Sequence, residues 1–291
     1  MAEARENRKL VIVSGLSGAG KSHVLNTLED QGFYCIDNLP VALLENLSGL
    51  LTSEGGKFPD KVGIGIDARS PGSDLRELPG IIEKLKTEGI PTELIFLQAD
   101  KNILTSRFSE TRRKHPLSSE IVSLADALDR ERELLEPLSI LSDLRLDTSD
   151  TSVHELRDIV RARVANRASG SLSLQFLSFG YKHGIPTDAD YVFDVRSLPN
   201  PHWEKQLRPF TGKDRCVIEF LERQPAVAAM LWDIRAFLEK WLPLFEAENR
   251  SYLCVATGCT GGHHRSVYIS EQLAAYFSGT GKQVVIRHRD L

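Results

Sequence analysis

Residues 10–22 read Leu-Val-Ile-Val-Ser-Gly-Leu-Ser-Gly-Ala-Gly-Lys-Ser, and this stretch decides the fold of the first half of the chain. Its first four residues are apolar and predict a buried strand, and the residues from Lys21 onward have helical spacing. Between strand and helix, Gly15 to Ser22 match the pattern G-x-x-x-x-G-K-[ST] of a phosphate-binding loop. The stretch therefore predicts an α/β domain that binds nucleotide phosphates where its first strand ends.

Each part of this loop has a chemical reason to be there. The glycines let the backbone curl so that successive N–H groups point at the β-phosphate. Lys21 supplies a positive charge near the β- and γ-phosphate oxygens, and the Ser22 hydroxyl is placed to bind Mg²⁺. A glycine-rich turn without a ligand is the alternative, which the flanking strand and helix disfavour. The predicted phosphate-binding residues are Gly15, Leu16, Ser17, Gly18, Ala19, Gly20, Lys21 and Ser22.

A carboxylate at the end of another strand is expected to complete the metal site. Asp67 follows the apolar run 62–66, where a carboxylate would lie beside Mg²⁺. Asp37, after the run 34–36, is the competing candidate, and a role for Asp67 as a helix N-cap or turn residue stays open. Arg69 is expected to face phosphate or to pair with Asp67. We predict Lys21 and Asp67 as catalytic residues, and Ser22 and Asp67 as ligands of Mg²⁺.

A basic segment follows the fourth apolar run of the first half. Its residues Arg107, Arg112 and Arg113 resemble the arginine-rich lid helix of small P-loop kinases, in which arginines neutralise the transferring phosphate. A solvated helix face is the alternative, and the sequence alone favours that alternative. The lid interpretation makes a small-molecule kinase the main competing enzyme class.

Strand-like and helix-like segments alternate along the first half. The apolar runs are 10–13, 34–36, 62–66, 94–97 and 144–146, and helical spacing follows each of them. This alternation predicts a parallel sheet with helices on both faces, as in P-loop NTPases. The stretch Ala168-Ser169-Gly170 is the predicted linker. It divides the chain into a nucleotide-binding domain over residues 1–167 and a C-terminal domain over residues 171–291.

The second half is predicted to be a further α/β domain. Its strand-like stretches are 172–179, 191–195, 252–256 and 283–287, with a long helix from about Pro225 to Glu248 and another helix after Arg265. The turn-rich stretch 184–186 separates the first two strands.

Composition excludes several classes of protein. The chain has 291 residues, with 36 Lys+Arg against 40 Asp+Glu and 41% hydrophobic residues, which is ordinary for a globular protein. No apolar run approaches the ~20 residues of a membrane span, and the hydrophilic start is not a secretory signal. The four cysteines form no Cys-x-x-Cys pair, which suits a reducing cytosol. Residues 170–291 carry 14 Lys+Arg against 13 Asp+Glu, so any RNA site there must be a local patch.

A second candidate anion loop lies between a strand and a helix in the C-terminal half. Cys259 and Arg265-Ser266 have the Cys-x5-Arg-Ser spacing of cysteine-dependent phosphatases, in which the cysteine attacks phosphorus. No histidine precedes the cysteine, and no general acid is obvious. Binding of a phosphorylated ligand is therefore the first interpretation, a structural turn the second and thiol catalysis the third. The polar cluster 194–203 follows another strand and is expected to line the same pocket.

Five stretches together carry a resemblance to a known family. They are the loop 15–22, Asp37-Asn38-Leu39-Pro40, residues 178–186, residues 190–202 and residues 258–266. Over essentially the whole chain they resemble the RapZ family of bacterial P-loop nucleotide-binding proteins. The resemblance implies binding and slow hydrolysis of ATP and GTP with Mg²⁺. It makes 15–22 the ATP loop, and it implies that the guanine-nucleotide segment is Asp67, Ala68, Arg69 and Ser70.

The same resemblance implies a C-terminal domain that binds a sugar phosphate. The pocket residues it implies are His202, Thr260, Gly261, His264 and Arg265, and Cys259 lies in the same loop. Enterobacterial members bind small regulatory RNAs and present them to an endoribonuclease, in the control of glucosamine-6-phosphate synthesis. An RNA patch is predicted at Lys182, Lys282, Arg287 and Arg289. The extended basic tail of those members is absent here, so modest, salt-sensitive RNA binding is expected.

These observations predict a regulator in the cytoplasm. Two anion sites on two domains are what a linkage mechanism requires, so a homo-oligomer whose ligands change its partners is expected. A protein-binding signalling module without RNA is the remaining alternative.

Overall fold

The computed structural model describes residues 8–52, 59–70, 72–111, 113–165, 172–248 and 250–291. The chain forms two compact units, Met1–Ser169 and Gly170–Leu291. The predicted linker 168–170 lies outside the described residues.

The first unit is built on a five-stranded parallel sheet with the order β2-β3-β1-β4-β5. Its strands are β1 Lys9–Gly15, β2 Tyr34–Ile36, β3 Lys61–Gly65, β4 Thr92–Gln98 and β5 Leu144–Asp147. Its helices are α1 Lys21–Asp30, α2 Val41–Thr52, α3 Gly72–Thr87, α4 Lys101–Thr111, α5 Leu124–Leu141 and α6 Val153–Val160. A π-helical turn, Arg161–Ala165, extends α6. The predicted P-loop NTPase-type α/β fold is confirmed.

Strand β1 occupies the centre of this sheet, and every one of its residues is buried. Apolar residues at consecutive positions bury both faces of the strand, which requires helices on both sides of the sheet. Because parallel strands end at the same edge, the loops after β1, β2 and β3 lie next to one another. Residue pairing places Val13 of β1 beside Gly65 of β3 and Cys35 of β2 beside Gly63.

The second unit has a four-stranded parallel sheet with the order β7-β8-β6-β9. Its strands are β6 Ser173–Gly180, β7 Tyr191–Asp194, β8 Tyr252–Cys259 and β9 Gln283–His288. Its helices are α7 Arg215–Glu222, α8 Pro225–Ala247 and α9 Arg265–Ser278. The predicted second α/β fold is confirmed, with two differences: β8 continues through Cys259 instead of ending near Ala256, and α7 is an additional helix.

The core of the second unit forms between its sheet and its helices. Leu231, Ile234, Leu238 and Leu242 recur on one face of α8 and are buried against the sheet. Phe176 of β6 stacks on Phe277 of α9, with ring centroids 5.7 Å apart. In the described part of the chain, no helix is long and apolar enough to cross a membrane.

Candidate functional site

The phosphate loop leaves the centre of the first sheet and enters α1. Gly15 has φ 138°, and a Cβ atom there would lie 2.2 Å from the carbonyl oxygen of Leu97, so only glycine fits. Gly18 and Gly20 also have positive φ, of 86° and 107°. Nζ of Lys21 donates to the carbonyl oxygen of Gly15 at 2.6 Å. The lysine side chain thus curls over its own loop, beside the backbone N–H groups of the first turn of α1.

The carboxylate of Glu131, on α5, holds this loop from inside the protein. It accepts from the backbone N–H of Ser17 at 2.9 Å and from the Ser17 hydroxyl at 2.6 Å. Nε2 of His115 lies 3.0 Å from the same carboxylate, and neither side chain is exposed. Burial alone would raise the pKa of Glu131, but the hydrogen bonds from His115 and Ser17 outweigh it and lower the pKa. Glu131 is therefore an anion inside the fold.

Asp67 follows β3, beside the phosphate loop. Its two oxygens accept from the Arg69 guanidinium at 2.7–3.1 Å, and Oδ1 also accepts from the backbone N–H of Arg69 at 2.9 Å. Burial would raise the pKa of Asp67, yet these hydrogen bonds and the charge of Lys21 lower it. Of the two roles predicted for Arg69, the structure shows the pairing with Asp67.

One cavity of about 770 Å³ brings the predicted nucleotide residues together. Its wall includes the phosphate loop from Ser17 to Ser22, with Asp37, Asp67, Arg69, Arg107 and Arg113. The competing metal candidate Asp37 thus lies in the same cavity as Asp67. Ala68 and Ser70, which belong to the same segment as Asp67, are buried. Asp67 and Arg69 of the segment 67–70 therefore line the cavity that the phosphate loop also lines.

Arg107 points at the phosphate loop and not toward a solvated helix face. Its guanidinium donates to the carbonyl oxygens of Gly18 at 3.1 Å and Thr148 at 2.6 Å. The Thr148 hydroxyl donates to the carbonyl oxygen of Ala19 at 3.0 Å. Arg112 lies outside the described residues. Arg107 and Thr148 therefore fix the outer side of the loop, as Glu131 fixes its inner side.

The second anion loop joins β8 to α9. Sγ of Cys259 accepts from the backbone N–H of Gly262 at 3.2 Å and lies 3.1 Å from the Ser266 hydroxyl. Burial would raise the pKa of Cys259, but these donors and the backbone N–H groups of Ser266 and His264 lower it below the value of a free thiol. The loop thus favours a negative charge on its sulfur.

Arg265 is held with one edge of its guanidinium uncommitted. Nη1 donates to the carbonyl oxygens of Arg196 at 2.7 Å and Leu198 at 2.9 Å. Nη2 has only a 3.4 Å contact with the Thr260 hydroxyl, and the buried Nε has no hydrogen-bond partner among the described residues. Nε and Nη2 form the edge that binds two oxygens of a phosphate or carboxylate. Because the residue is only 4% exposed, this donor edge is buried beside the loop, where it could bind an anion.

The other predicted pocket residues lie around this arginine. The rings of His202 and His264 are 6.3 Å apart, and Nε2–H of His264 donates to the carbonyl oxygen of Leu207 at 3.3 Å. Thr260 is exposed. A Cβ atom on Gly261 would lie 3.9 Å from Nζ of Lys182, which adds an ammonium group beside the loop. Within the cluster 194–203, the carbonyl oxygens of Arg196 and Leu198 contact Arg265.

The four predicted RNA-binding residues differ in their exposure and in their contacts within the protein. Lys182 is exposed beside the loop, whereas Lys282 forms an ion pair with Glu246. The guanidinium of Arg289 donates to the carbonyl oxygen of Gly184 at 2.7 Å, and its side chain is largely buried. Arg287 lies on β9, paired with Leu177 of β6. The structure therefore brings Lys182 to the anion loop and pairs Lys282 with Glu246, while Arg289 is bonded to backbone carbonyl oxygens on either side of Lys182.

A turn that the sequence analysis did not single out occurs in both units. Asp194-Val195-Arg196-Ser197 repeats the pattern of Asp67-Ala68-Arg69-Ser70. Oδ1 of Asp194 accepts from the backbone N–H of Arg196 at 2.9 Å, and Oδ2 accepts from its Nη2 at 2.7 Å, the same distances as in the first unit. Each turn follows the strand next to the one that carries the anion loop. The repeated Asp-x-Arg-Ser string is the sequence signal for it.

Comparisons with known proteins show the family to which this chain is related. Residues 8–168 match the family description "RapZ-like N-terminal domain", and residues 172–291 match "RapZ C-terminal domain". A nucleotide-binding protein of Alkalilimnicola ehrlichii is 53% identical over 287 residues, covering 97% of this chain and 98% of that protein. The RNase adapter protein RapZ of Yersinia pseudotuberculosis is 51% identical over 285 residues, with the same coverage. The chain belongs to the RapZ family.

Proposed function

We propose that this chain is a nucleotide-binding RNase adapter. Nucleotide binding is proposed because Lys21 and the phosphate loop line the same cavity as Asp67 and Arg69. Relatives that align over nearly their whole length are named nucleotide-binding proteins and RNase adapter proteins, which supports the adapter role.

The proposed ligand of the first unit is ATP or GTP with Mg²⁺, hydrolysed slowly. Ser22 is exposed at the start of α1, and Asp67 lies near Lys21 in the same cavity. A hydroxyl and a carboxylate fit Mg²⁺, which takes one or two protein oxygens and completes its shell with phosphate and water. When bound, Mg²⁺ would neutralise charge on the phosphates. Because Asp67 and Arg69 line the same cavity as the phosphate loop, ATP and GTP would compete for one site.

Calorimetric titration of the full chain tests the nucleotide site. Lys21→Ala should lower the affinity for ATP and GTP about 10-fold or more, because the lysine charge holds the phosphates. Lys114→Ala, at the exposed rim of the same cavity, is the matched control and should cost less. Saturation with ATP should abolish GTP binding. Unchanged affinity in Lys21→Ala would exclude the proposed site, and simultaneous binding would exclude a shared one.

The proposed ligand of the second unit is a phosphorylated sugar of the glucosamine-6-phosphate class. The open edge of the Arg265 guanidinium supplies two donors to the phosphate, and Thr260, His202 and His264 supply polar groups beside it. Arg265→Lys should lower the affinity for glucosamine-6-phosphate, since an ammonium group cannot donate along two parallel directions. Arg287→Lys is the control and should leave it unchanged.

The proposed macromolecular partners are a small structured RNA and an endoribonuclease. Lys182 beside the anion loop supports an RNA contact there. A gel shift of the full chain with a stem-loop RNA at low and moderate salt tests this, and no retention at low salt would favour a protein partner alone. The homo-oligomeric state and the cytoplasmic location stay predictions.

A small-molecule kinase is the second candidate, and the cavity gives it one specific observation. Arg107 contacts the phosphate loop, and Arg113 and Asp37 line the same cavity. Charged side chains outside the loop thus line the cavity as well. Phosphorus NMR of ATP with candidate metabolites separates the two functions. A new phosphate ester would favour the kinase, and release of phosphate without an acceptor would favour slow hydrolysis.

A further inference from the structure

Cys259 is buried at the edge of the core of the second unit, and its sulfur has hydrogen-bond donors of the kind that stabilise a thiolate. It lies at the last residue of β8, and α9 begins six residues later at Arg265. The N–H of Gly262 donates to it at 3.2 Å, and the Ser266 hydroxyl, 3.1 Å away, donates to it when it is a thiolate. These donors stabilise a thiolate, which is the reactive form of cysteine. Cys254, on the same strand, is buried too.

The second observation is the orphaned donor of Arg265. Its Nε is buried without a partner among the described residues, although Nη1 is fixed by two carbonyl oxygens. The charge of Cys259 is the largest favourable influence on this guanidinium. The loop therefore contains both Cys259, whose sulfur has hydrogen-bond donors, and Arg265, whose guanidinium has a donor without a partner among the described residues. The two groups interact electrostatically.

We propose that Cys259 attacks the phosphoryl group of a phosphate monoester bound by Arg265, so that the second unit is a thiol-dependent phosphatase for acidic leaving groups. This proposal rests on the phosphate site proposed above. It adds a chemical step to what that section treats as a binding site.

The step balances in two displacements. A lone pair of the Cys259 thiolate forms an S–P bond while the P–O bond to the leaving group breaks, and that bonding pair departs on the leaving oxygen. A water oxygen then attacks phosphorus, the S–P bond breaks, and its electron pair returns to the sulfur as thiolate. One water proton passes to solvent and the other stays on the phosphate, and the products are the leaving group and inorganic phosphate. Arg265 faces the phosphoryl oxygens in both displacements.

The surroundings of the loop define the class of substrate. Asp194 ends β7, paired in register with Gly258 of β8. The Arg196 hydrogen bonds lower the pKa of Asp194, so this carboxyl group carries no proton to give at neutral pH. Burial lowers the pKa of His264, and its Nε2–H is already donated to Leu207. The carboxylate of Asp290, also beside the loop, accepts from the backbone N–H of Gly180 at 2.6 Å. The proposed substrates are therefore those whose leaving group departs as an anion, as in aryl and acyl phosphates, and alkyl phosphates such as sugar phosphates bind without being cleaved.

The test uses the full chain with p-nitrophenyl phosphate. Wild type should release nitrophenolate, and Cys259→Ser should lower the rate at least about 100-fold because it removes the nucleophile. Cys216→Ala, on α7, is the matched control and should retain the rate. Acid quenching during turnover should trap a phosphoryl group on the peptide that contains Cys259, detected by mass spectrometry. Ser266→Ala should slow turnover without abolishing it, which covers the case in which Cys259→Ser fails to fold.

The outcomes separate this proposal from the phosphate site beneath it. No nitrophenolate release by wild type, or equal release by Cys259→Ser and wild type, would overturn the thiol chemistry. If glucosamine-6-phosphate still binds and Arg265→Lys weakens it, the phosphate site stands without the chemistry. If neither glucosamine-6-phosphate nor inorganic phosphate binds wild type, the site and the chemistry fail together.

Discussion

Ser17 donates two hydrogen bonds to Glu131, one from its backbone N–H and one from its hydroxyl, at 2.9 and 2.6 Å. A buried carboxylate needs hydrogen-bond donors to stabilise its negative charge. Here the Nδ1 atom of His115 accepts from the N–H of Leu117, so Nε2 carries a proton and donates to Glu131. The carboxylate therefore has three donors, and it fixes the third residue of the loop before any nucleotide arrives.

Replacing Glu131 should destabilise the first unit. Glu131→Gln keeps the shape but turns two acceptor oxygens into one acceptor and one donor, which leaves a donor facing Ser17 or His115. We expect a loss of about 1–3 kcal/mol in the free energy of unfolding. Urea denaturation measures it, with Glu133→Gln, exposed on the same helix, as the control that should change little. An equal effect of the two substitutions would show that the buried contacts contribute nothing.

The contribution of Glu131 should depend on pH. Its pKa is lower in the folded chain than the ordinary value of 4.5, so it stabilises the fold above about pH 4.5, and this contribution is lost as the pH falls through the folded value. The stability difference between wild type and Glu131→Gln should therefore be largest near neutral pH and shrink on acidification. Urea titrations from pH 7 to well below pH 4.5 measure this difference. A difference that stays constant into the acid range would contradict a depressed pKa.

Gly15→Ala should be among the most damaging single-methyl additions. The new Cβ would lie 2.2 Å from the carbonyl oxygen of Leu97, a backbone atom that cannot rotate away, at a φ of 138°. We expect a loss of roughly 3 kcal/mol or more, with loss of nucleotide binding. Gly80→Ala, in α3, meets nothing within 4 Å and should stabilise the fold by about 0.5–1 kcal/mol. Thermal unfolding of both variants checks the contrast.

Arg107→Ala should weaken nucleotide binding without unfolding the unit. The side chain joins the carbonyl oxygens of Gly18 and Thr148, so its loss frees the outer side of the phosphate loop. We expect an affinity about 10-fold lower, equivalent to roughly 1.4 kcal/mol, by calorimetry. Arg130→Ala, exposed on α5, is the control. Equal affinities of the two variants would show that Arg107 does not contribute to nucleotide binding.

Lys182→Ala should reduce RNA retention more than Lys282→Ala. Lys182 is exposed beside the anion loop, whereas Lys282 already forms an ion pair with Glu246. Loss of one phosphate contact should reduce the slope of log affinity against log salt concentration by about 0.9. Gel shifts of the two variants at several salt concentrations measure both effects. The reverse order would place the RNA away from the anion loop.

Local patterns in the sequence were enough to predict most of the fold. Short apolar runs bounded by turn residues gave strand β2 at its observed bounds, and the glycine-lysine motif placed α1. Helix α7 was missed because it has only eight residues and follows a stretch rich in turns. Its apolar residues Val217 and Leu221 are buried, but two positions are too few to reveal a period.

The contacts around the site were harder to predict than the site itself. The loop residues share a motif, so the phosphate loop is visible within eight positions. Glu131 lies 114 residues from Ser17, and a glutamate within a charged helix carries no signal of its partner. The lid arginines were ambiguous for the same reason: the side of a helix that faces a cavity depends on packing between distant segments, as the contact of Arg107 with Gly18 shows.

The repeated Asp-x-Arg-Ser turn has a consequence for how charge is moved within each unit. In both turns the guanidinium is bonded to both carboxylate oxygens of the aspartate two residues before it, so the pair is electrically neutral toward its surroundings. If Arg69 or Arg196 turns to a phosphate, it releases its aspartate at the same moment. The freed carboxylate of Asp67 is then available to a cation that accompanies the phosphate. Binding of an anion by the arginine at either strand end would then leave the aspartate to pair with a cation.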